Sequence, residues 1–470
     1  MNFSSIVVLD NGGHTIKTGL VTSQEIKPSP HLIPNAIVRS KGDKMTYFGH
    51  ELERCRDYSS LHYRLPLEKG YIVDWDAQKA IWDGVFSDQV LGINTTQSSL
   101  ILTEPYFNLP NIQEVYDQFI FEEYEFSSYY RCTPASLIPY GQLFSVAGLP
   151  QPECMTVVDT GFSFTHVIPI LKGKIVWNAV KRLDVGGKLL TNHLKELVSF
   201  RQWNMMDETY IMNDVKETCC YVSQNFKNDL EMTRLDPKNN SIVQQYVLPD
   251  LSVRKQGRIR KPEDIVPESD QVLVMNNERF SVPELIFRPD DIALDQCGLA
   301  EAIAVSISLL PEDLRGLFWA NIGLIGGNSK FIGFRQRLLS EVQPFVPAGY
   351  NVCIYECDDP ITEAYKSALN VSSSSDFISK AVVTRAEYLE KGSNASWERF
   401  RDWRNAKPTT EILDGMLDEE STIGTSAASA SKEGRDSRTS TTVDGSNTSV
   451  GSKVSKTRSS GRIVVGGRAR

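Results

Sequence analysis

The chain has eight cysteines and no Cys-x-x-Cys pair among them: Cys55, Cys132, Cys154, Cys219, Cys220, Cys297, Cys353 and Cys357. That absence excludes a zinc knuckle and leaves no disulfide framework, so most of these thiols are expected to be reduced and buried. Cys353 and Cys357 with Asp358 and Asp359 come nearest to a ligand set, but the second cysteine pair such a site needs is missing. No apolar run approaches the roughly 20 residues that cross a bilayer. Met1-Asn2-Phe3-Ser4 also lacks the basic start and small-residue cleavage site of a secretory signal. The expected setting is inside the cell, with no membrane partner. An excess of positive charge is lacking too. The formal charge of −9 argues against a protein that coats nucleic acid with its whole surface, though not against a local basic patch.

What is present is a long chain of 470 residues, 41% hydrophobic and 23% charged, enough for substantial cores in two or more lobes. Twice a short apolar strand runs into an aspartate, a spacer and a glycine, then resumes as a second strand: Val7-Val8-Leu9-Asp10-Asn11-Gly12-Gly13 and Val157-Val158-Asp159-Thr160-Gly161. An isolated Asp-x-Gly between strands is an ordinary hairpin turn. Such a turn also exposes backbone N–H groups with little side-chain bulk, which suits a polyanion, and its carboxylate can hold a hydrated Mg²⁺. Repetition about 150 residues apart points to duplicated halves around a cleft, gripping one phosphate chain from opposite sides.

The alternation of elements favours an α/β fold. Strands are predicted at Ile6 to Leu9, Ile16 to Leu20, Leu100 to Thr103, Thr165 to Leu171, Ile175 to Val180 and Asn321 to Ile325. Helices are predicted from Asp74, with Trp75, Ile81, Trp82, Val85 and Phe86 on a core-facing side, and over about Ile112 to Phe121, Gly187 to Leu197, Asn213 to Phe226 and Phe331 to Val342. Gly326-Gly327-Asn328-Ser329 at a strand-to-helix junction lets a flat ligand or a phosphate approach the backbone. Between Asp250 and Asp270, Arg254, Lys255, Arg258, Arg260 and Lys261 form a polar insertion that reads either as a solvated loop or as a patch for an acidic partner. From about Pro408 the chain turns to Ser, Thr, Gly and Ala, acidic at first and basic at the end, and residues 408–470 are expected to be disordered. That tail reads as inert linker, as a nucleic-acid contact or as a nuclear import signal.

Over about residues 3–405 the chain resembles an actin-related protein. The resemblance rests on Leu9-Asp10-Asn11-Gly12 with Lys17, Gly70-Tyr71-Ile72-Val73-Asp74-Trp75-Asp76, Leu102-Thr103-Glu104-Pro105, Thr165-His166-Val167-Ile168-Pro169 and Asp184-Val185-Gly186-Gly187. It continues through Asp214-Val215-Lys216-Glu217, Cys220-Tyr221-Val222, Asn277-Glu278-Arg279-Phe280 and Gly326-Gly327-Asn328, all in family order. The basic insertion and the departures below are most similar to the nuclear actin-related protein six subfamily. The resemblance implies the two-lobed fold of actin, Hsp70 and sugar kinases, with duplicated halves around a nucleotide cleft. Residues 1–149 plus 360–405 would form the first lobe, with a small subdomain at about 33–66. Residues 150–359 would form the second, with a small subdomain at about 185–288 carrying the insertion 251–271.

Residue by residue, the resemblance implies ATP or ADP with Mg²⁺. Asp10 and Asp159 would organise the metal through water, the backbone of Asn11, Gly12 and Gly13 with Lys17 would hold phosphates, and Thr160 and Gly161 would belong to the second loop. Gly186, Lys216, Glu217, Gly326, Gly327 and Asn328 would line the adenosine side. The second loop, Asp159-Thr160-Gly161-Phe162-Ser163, departs from the usual Asp-x-Gly-Asp-Gly, which weakens its expected grip. His14 stands at a usual glycine, and Asp359 at a lysine bordering the adenine. Hydrolysis needs a group orienting the attacking water, a glutamine in actins. Pro134 takes its place, or Thr133 if the match slips by one, and His166 alone is insufficient. The loop that reaches the next subunit of a filament is short between Pro34 and Gly49, so no self-polymerisation is expected. The implied function is a weakly or non-catalytic scaffold subunit of a chromatin-remodelling complex exchanging histone variants, nuclear with a cytoplasmic pool. Its implied partners are the remodelling motor and a zinc-finger protein, with histones or nucleosomal DNA met through basic segments. The rival is an active ATP-hydrolysing cytoskeletal actin-like filament protein. A sugar-kinase relative would need a general base facing a hydroxyl, and no carboxylate argues for that role.

Overall fold

The computed structural model describes residues 5–22, 29–42, 44–55, 58, 61–235, 239–249, 256–261, 263–264, 267, 270–400 and 403–405. The tail 408–470, Arg254, Lys255 and much of the insertion lie outside the described residues.

Val7, Val8 and Leu9 are wholly apolar and two of them β-branched, so Ser5–Asn11 is stable only with both faces covered. It sits inside a sheet, parallel to Ser98–Thr103, which is parallel to Ser128–Cys132. On its other side it pairs antiparallel with Thr15–Thr22, and that strand with His31–Pro34. Cys154–Thr160 repeats the plan. It runs parallel to Ile322–Ile325, itself parallel to Ile354–Tyr355, and antiparallel to Thr165–Leu171, which pairs with Lys174–Ile175. The two sheets therefore share one strand order, which is the duplication that the paired turns predict. Register makes the repeat exact in loop length: Asn11 faces Ile16 and Thr160 faces Thr165, each pair closing a four-residue loop.

Helices cover the sheets. Trp75–Phe86 starts where the Asp74 carboxylate accepts the Ala77 N–H, and it buries Ile81, Trp82 and Val85 on the first sheet. Leu190, Leu194, Val215, Phe287, Phe318 and Leu338 fill the second half. A separate cluster joins the halves, with Tyr106, Ala135 and Ile138 packed on Met155, Val157, Ile168 and Ile325. Residues 36–64 carry a small sheet and core of their own. This subdomain reaches the second half where the Tyr58 and Tyr210 rings lie 5.1 Å apart. Nearby, Lys188 pairs with Glu68 at 3.0 Å.

Several predicted elements lengthen by a few residues, such as the helix that runs on from Leu197 to Arg201, and four are broken or moved. The helix expected over Asn213 to Phe226 is Thr209–Cys219. Beyond it the Tyr221 and Val222 N–H groups donate to the carbonyls of Arg279 and Ile332, and a new helix, Phe226–Met232, starts under an Asn225 cap. Tertiary backbone bonds override a helical period that continues in the side chains. The strand expected over Ile175 to Val180 is broken by a 3-10 turn at Trp177–Ala179 and resumes at Lys181–Leu183. The helix expected to end at Phe121 is Pro110–Gln118, followed by a π turn at Phe119–Glu123. The helix after the Gly-Gly turn begins at Phe334, because Gly327–Lys330 first forms a 3-10 turn. In the insertion, Arg258 is paired with Asp264 and the Arg260 guanidinium donates to Gln245 Oε1 at 2.8 Å, so these two cations have partners of their own.

Arg131, on a central strand, has its guanidinium buried between Asp117 at 2.9 Å and Glu104 at 3.4 Å. Removing one member of a buried ion cluster strands the others. Arg131→Met is therefore expected to lower stability by about 3–5 kcal/mol, read from the urea midpoint, and to regain part of that loss when Asp117→Asn is added. A loss below about 1 kcal/mol would contradict the assignment.

Candidate functional site

The two four-residue loops open onto one cavity of about 390 Å³, within the roughly 300–1,000 Å³ typical of small-molecule sites. Asp10, Asn11, Gly12, Gly13 and Lys17 line it from the first loop, and Asp159 and Gly161 from the second. Glu217, Lys216, Gly326, Gly327 and Asn328 line it from the second half, and Pro134 and His166 complete the wall.

One segment of four residues positions both aspartates. The Thr103 hydroxyl donates to Asp10 Oδ1 at 2.7 Å and accepts the Asn11 N–H at 3.0 Å. The Tyr106 hydroxyl donates to Asp159 Oδ2 at 2.9 Å and accepts the Ala135 N–H at 3.0 Å. Lys17 pairs with the other oxygen of Asp10 at 3.1 Å. Enclosure away from bulk water pushes the Asp159 carboxyl up to about 6, against the Tyr106 hydrogen bond, and the Asp10 charge adds to the rise. Glu104 is a further acid on the wall, beside Asp10, Asp159 and Glu217, and is held by Asn108 and Gln113 at 2.8 to 3.0 Å. Sequence reasoning missed Thr103 and Tyr106 as holders. The quoted Leu102-Thr103-Glu104-Pro105 stretch contained the first signal, a hydroxyl at the end of the strand beside the first hairpin, and Tyr106 follows it directly.

Several predicted residues play other parts. Thr160 is fully buried, its hydroxyl 3.0 Å from that of Thr165, and it does not line the cavity. Gly186 lies beneath the second loop, where a Cβ would meet Phe162 O at 2.6 Å, and Gly187 faces the cavity instead. The N–H groups of Asn11 and Gly12 already donate to Thr103 Oγ1 and to Asp10 O, so this backbone pair does not offer the phosphate donors expected of it. The Asn11 side chain is tied to Gln78, Asn35 and Trp82. Lys216 is buried, and its ammonium donates to Gly187 O, Thr191 Oγ1 and Asn213 Oδ1 at 2.9 to 3.3 Å, three acceptors for three protons. It braces the wall. Asn328 likewise holds the second loop, donating to Gly161 O at 2.8 Å. Asp359 is off the wall. Its carboxylate accepts the Thr362 hydroxyl at 2.9 Å and pairs with Lys330 at 3.6 Å, so it puts no bare charge on the cavity edge. Of the two residues competing for the water-orienting place, Pro134 faces the cavity, while the Thr133 hydroxyl is buried without a partner among the described residues.

His166 packs on Tyr106 with ring centroids 4.6 Å apart, and its Nε2 is buried with no partner among the described residues. Burial, then the Arg182 charge, drives its pKa down to about 3. Protein crowds His14 although its edge stays open to the cavity, and this enclosure with the Lys216 and Lys17 charges lowers its pKa to about 4.

The residues fit a magnesium nucleotide in three respects. An orphaned buried nitrogen, His166 Nε2, stands on the wall. Gly326, at φ +90°, brings its backbone so close to the second loop that a Cβ would meet Thr160 O at 2.4 Å. The two hairpin aspartates, Asp10 and Asp159, bring oxygen donors into the same cavity. No cluster of three ligating His, Cys, Asp or Glu side chains exists among the described residues, at Cys353 and Cys357 or elsewhere. A divalent ion here would complete its shell with water and phosphate oxygens, as Mg²⁺ commonly does.

A profile of the actin family matches residues 2–401. The chain is 50% identical over 416 residues to "Actin-like protein ARP6" of Cryptococcus neoformans, with 84% of each chain covered. It is 36% identical over 396 residues to "Actin-related protein 6" of Drosophila melanogaster, covering 83% of this chain and 98% of that one. Against "Actin-related protein 6" of Arabidopsis thaliana it is 36% identical over 428 residues, covering 84% and 99%. The chain belongs to the actin family, in its actin-related protein 6 branch. Proteins of this fold generally bind ATP or ADP with Mg²⁺.

Gly326→Ala should destabilise the protein by about 1–3 kcal/mol, since only glycine tolerates that φ beside Thr160 O; an unchanged melting temperature would refute the close approach. His166 sets a pH dependence. Its folded ring stays neutral down to about 3, whereas an unfolded ring takes a proton from about 6.5 downward. Its contribution is therefore intact above 6.5 and is lost as pH falls toward 3. His166→Gln should flatten the acid limb of melting temperature against pH over that window, and parallel curves would contradict this.

Proposed function

We propose that this chain is a nucleotide-binding actin-related subunit with little or no hydrolysis, serving as a scaffold in a chromatin-remodelling complex that exchanges histone variants. The observation that carries the weak-turnover part is Pro134. It faces the cavity where the family's water-orienting glutamine is matched, and proline offers neither an N–H nor a polar side chain for in-line attack. Bound Mg²⁺ would neutralise phosphate charge. Asp10 and Asp159 would hold its waters, and Lys17 would meet a phosphate oxygen.

The scaffold part is supported by the branch to which the chain belongs and by contacts that bridge the cleft without a ligand, the Tyr58–Tyr210 rings and the Lys188–Glu68 pair. Its partners in this reading are the remodelling motor and a zinc-finger subunit, with nucleosomal DNA or histones reached through basic segments. Its place is the nucleus, with a cytoplasmic pool, and it does not polymerise.

With enzyme in excess over ATP, phosphate release is expected to stay at the buffer rate, while Pro134→Gln raises it. Release comparable to that of conventional actin would overturn the reading. It would favour the active filament-forming alternative, for which the retained and unpartnered His166 is the one specific support. Copurification from nuclear extract with a remodelling motor tests the assembly, and recovery without any such motor argues against it.

A further inference from the structure

The two loops that face the cavity touch each other. The His14 ring stacks on Phe162 with centroids 4.9 Å apart and planes 29° apart. Phe162 is wedged from behind, because a Cβ on Gly187 would lie 3.5 Å from its Cα and its Cδ2, and its carbonyl accepts the Lys188 N–H at 2.9 Å. Beside the stack, a Cβ on Gly13 would meet Ser163 Oγ at 2.8 Å. The first and second loops are thus in van der Waals contact at both positions, and rings in contact leave no room for a third group between them.

Both rings line the cavity, as do Lys17, which pairs with Asp10 at 3.1 Å, and Lys216, bonded to Gly187 O at 3.3 Å. The charges of both lysines act on His14. In the proposed function these two loops grip the phosphate chain, so that chain would meet the stack.

We propose that the His14–Phe162 stack is a latch that competes with the phosphate chain of a nucleoside di- or triphosphate, so that the nucleotide binds only by parting the two rings. This deepens the proposed function and rests on its premise that the cavity takes a nucleotide. Breaking an aromatic pair costs about 0.5–1.5 kcal/mol, a weakening of up to about tenfold in affinity. The weakening falls on ligands with a phosphate chain. Adenosine carries no phosphate chain and so does not compete with the latch.

Calorimetric titration of the full chain, stripped of nucleotide, with Mg-ADP, Mg-ATP and adenosine tests this. In His14→Ala/Phe162→Ala the affinity for Mg-ADP and Mg-ATP should rise, by up to about tenfold, while that for adenosine stays within about twofold. Phe162→Leu keeps apolar volume against Gly187 but loses the ring stack, and should show the same selective gain if the double variant does not fold. Unchanged or weaker Mg-ADP and Mg-ATP binding in the variants, with binding measurable in the parent, overturns the latch and leaves the nucleotide reading intact. A gain that is equal for adenosine overturns it as well. No binding of any of the three ligands by parent or variants overturns the nucleotide reading, and the latch with it.

Discussion

Two hydroxyls carried by one turn, those of Thr103 and Tyr106, hold the two acidic hairpins to a common geometry. Thr103 ends the strand that runs parallel to Ser5–Asn11, so its bond to Asp10 stays within one sheet. Tyr106 stands three residues later in the cluster that joins the halves, and its bond to Asp159 crosses from one half to the other. The turn is itself fixed by Glu104, which accepts from Asn108 and Gln113 and pairs with the Arg131 charge. Each of the two carboxylates accepts from a hydroxyl, and Asp10 pairs with Lys17 as well.

The duplication was legible because its signal is local. An apolar, β-branched run broken by Asp and Gly specifies a hairpin within about ten residues, and two of them specify two sheets. The helix at Trp75–Phe86 was legible for the same reason, with Asp74 as cap and a clean apolar period behind it. What stayed hidden depends on partners far away in sequence. The apolar period after Cys219 continues, but the backbone there is claimed by Arg279 and Ile332. Lys216 matched the family's adenosine stretch, yet its ammonium is satisfied by Gly187, Thr191 and Asn213, which no spacing rule reveals. Asp359 lies off the wall, its carboxylate drawn toward Thr362 and Lys330, partners that its place in the sequence does not announce.

The departures from the family pattern, read separately, each suggested a loss: a carboxylate gone at Phe162, a glycine gone at His14. In the structure they meet each other. Two bulky rings in facing loops compensate as a pair, because each buries against the other the surface that either alone would expose in the cavity. Ser163 adopts no left-handed backbone, so replacing the usual glycine there stores no strain.

A ligand in this cavity bears on stability as well as on chemistry. Pro134 adds no polar group to the wall, and His166 stays neutral over the physiological range. A ligand that touches both halves still stabilises the closed form by mass action, by about 2.7 kcal/mol at a hundred times its dissociation constant. The protein already closes the same cleft through Tyr58 on Tyr210 and Lys188 on Glu68, an exposed pair worth at most about 1 kcal/mol. These contributions are of similar size, so a bound nucleotide would tip a closure that the chain has half made.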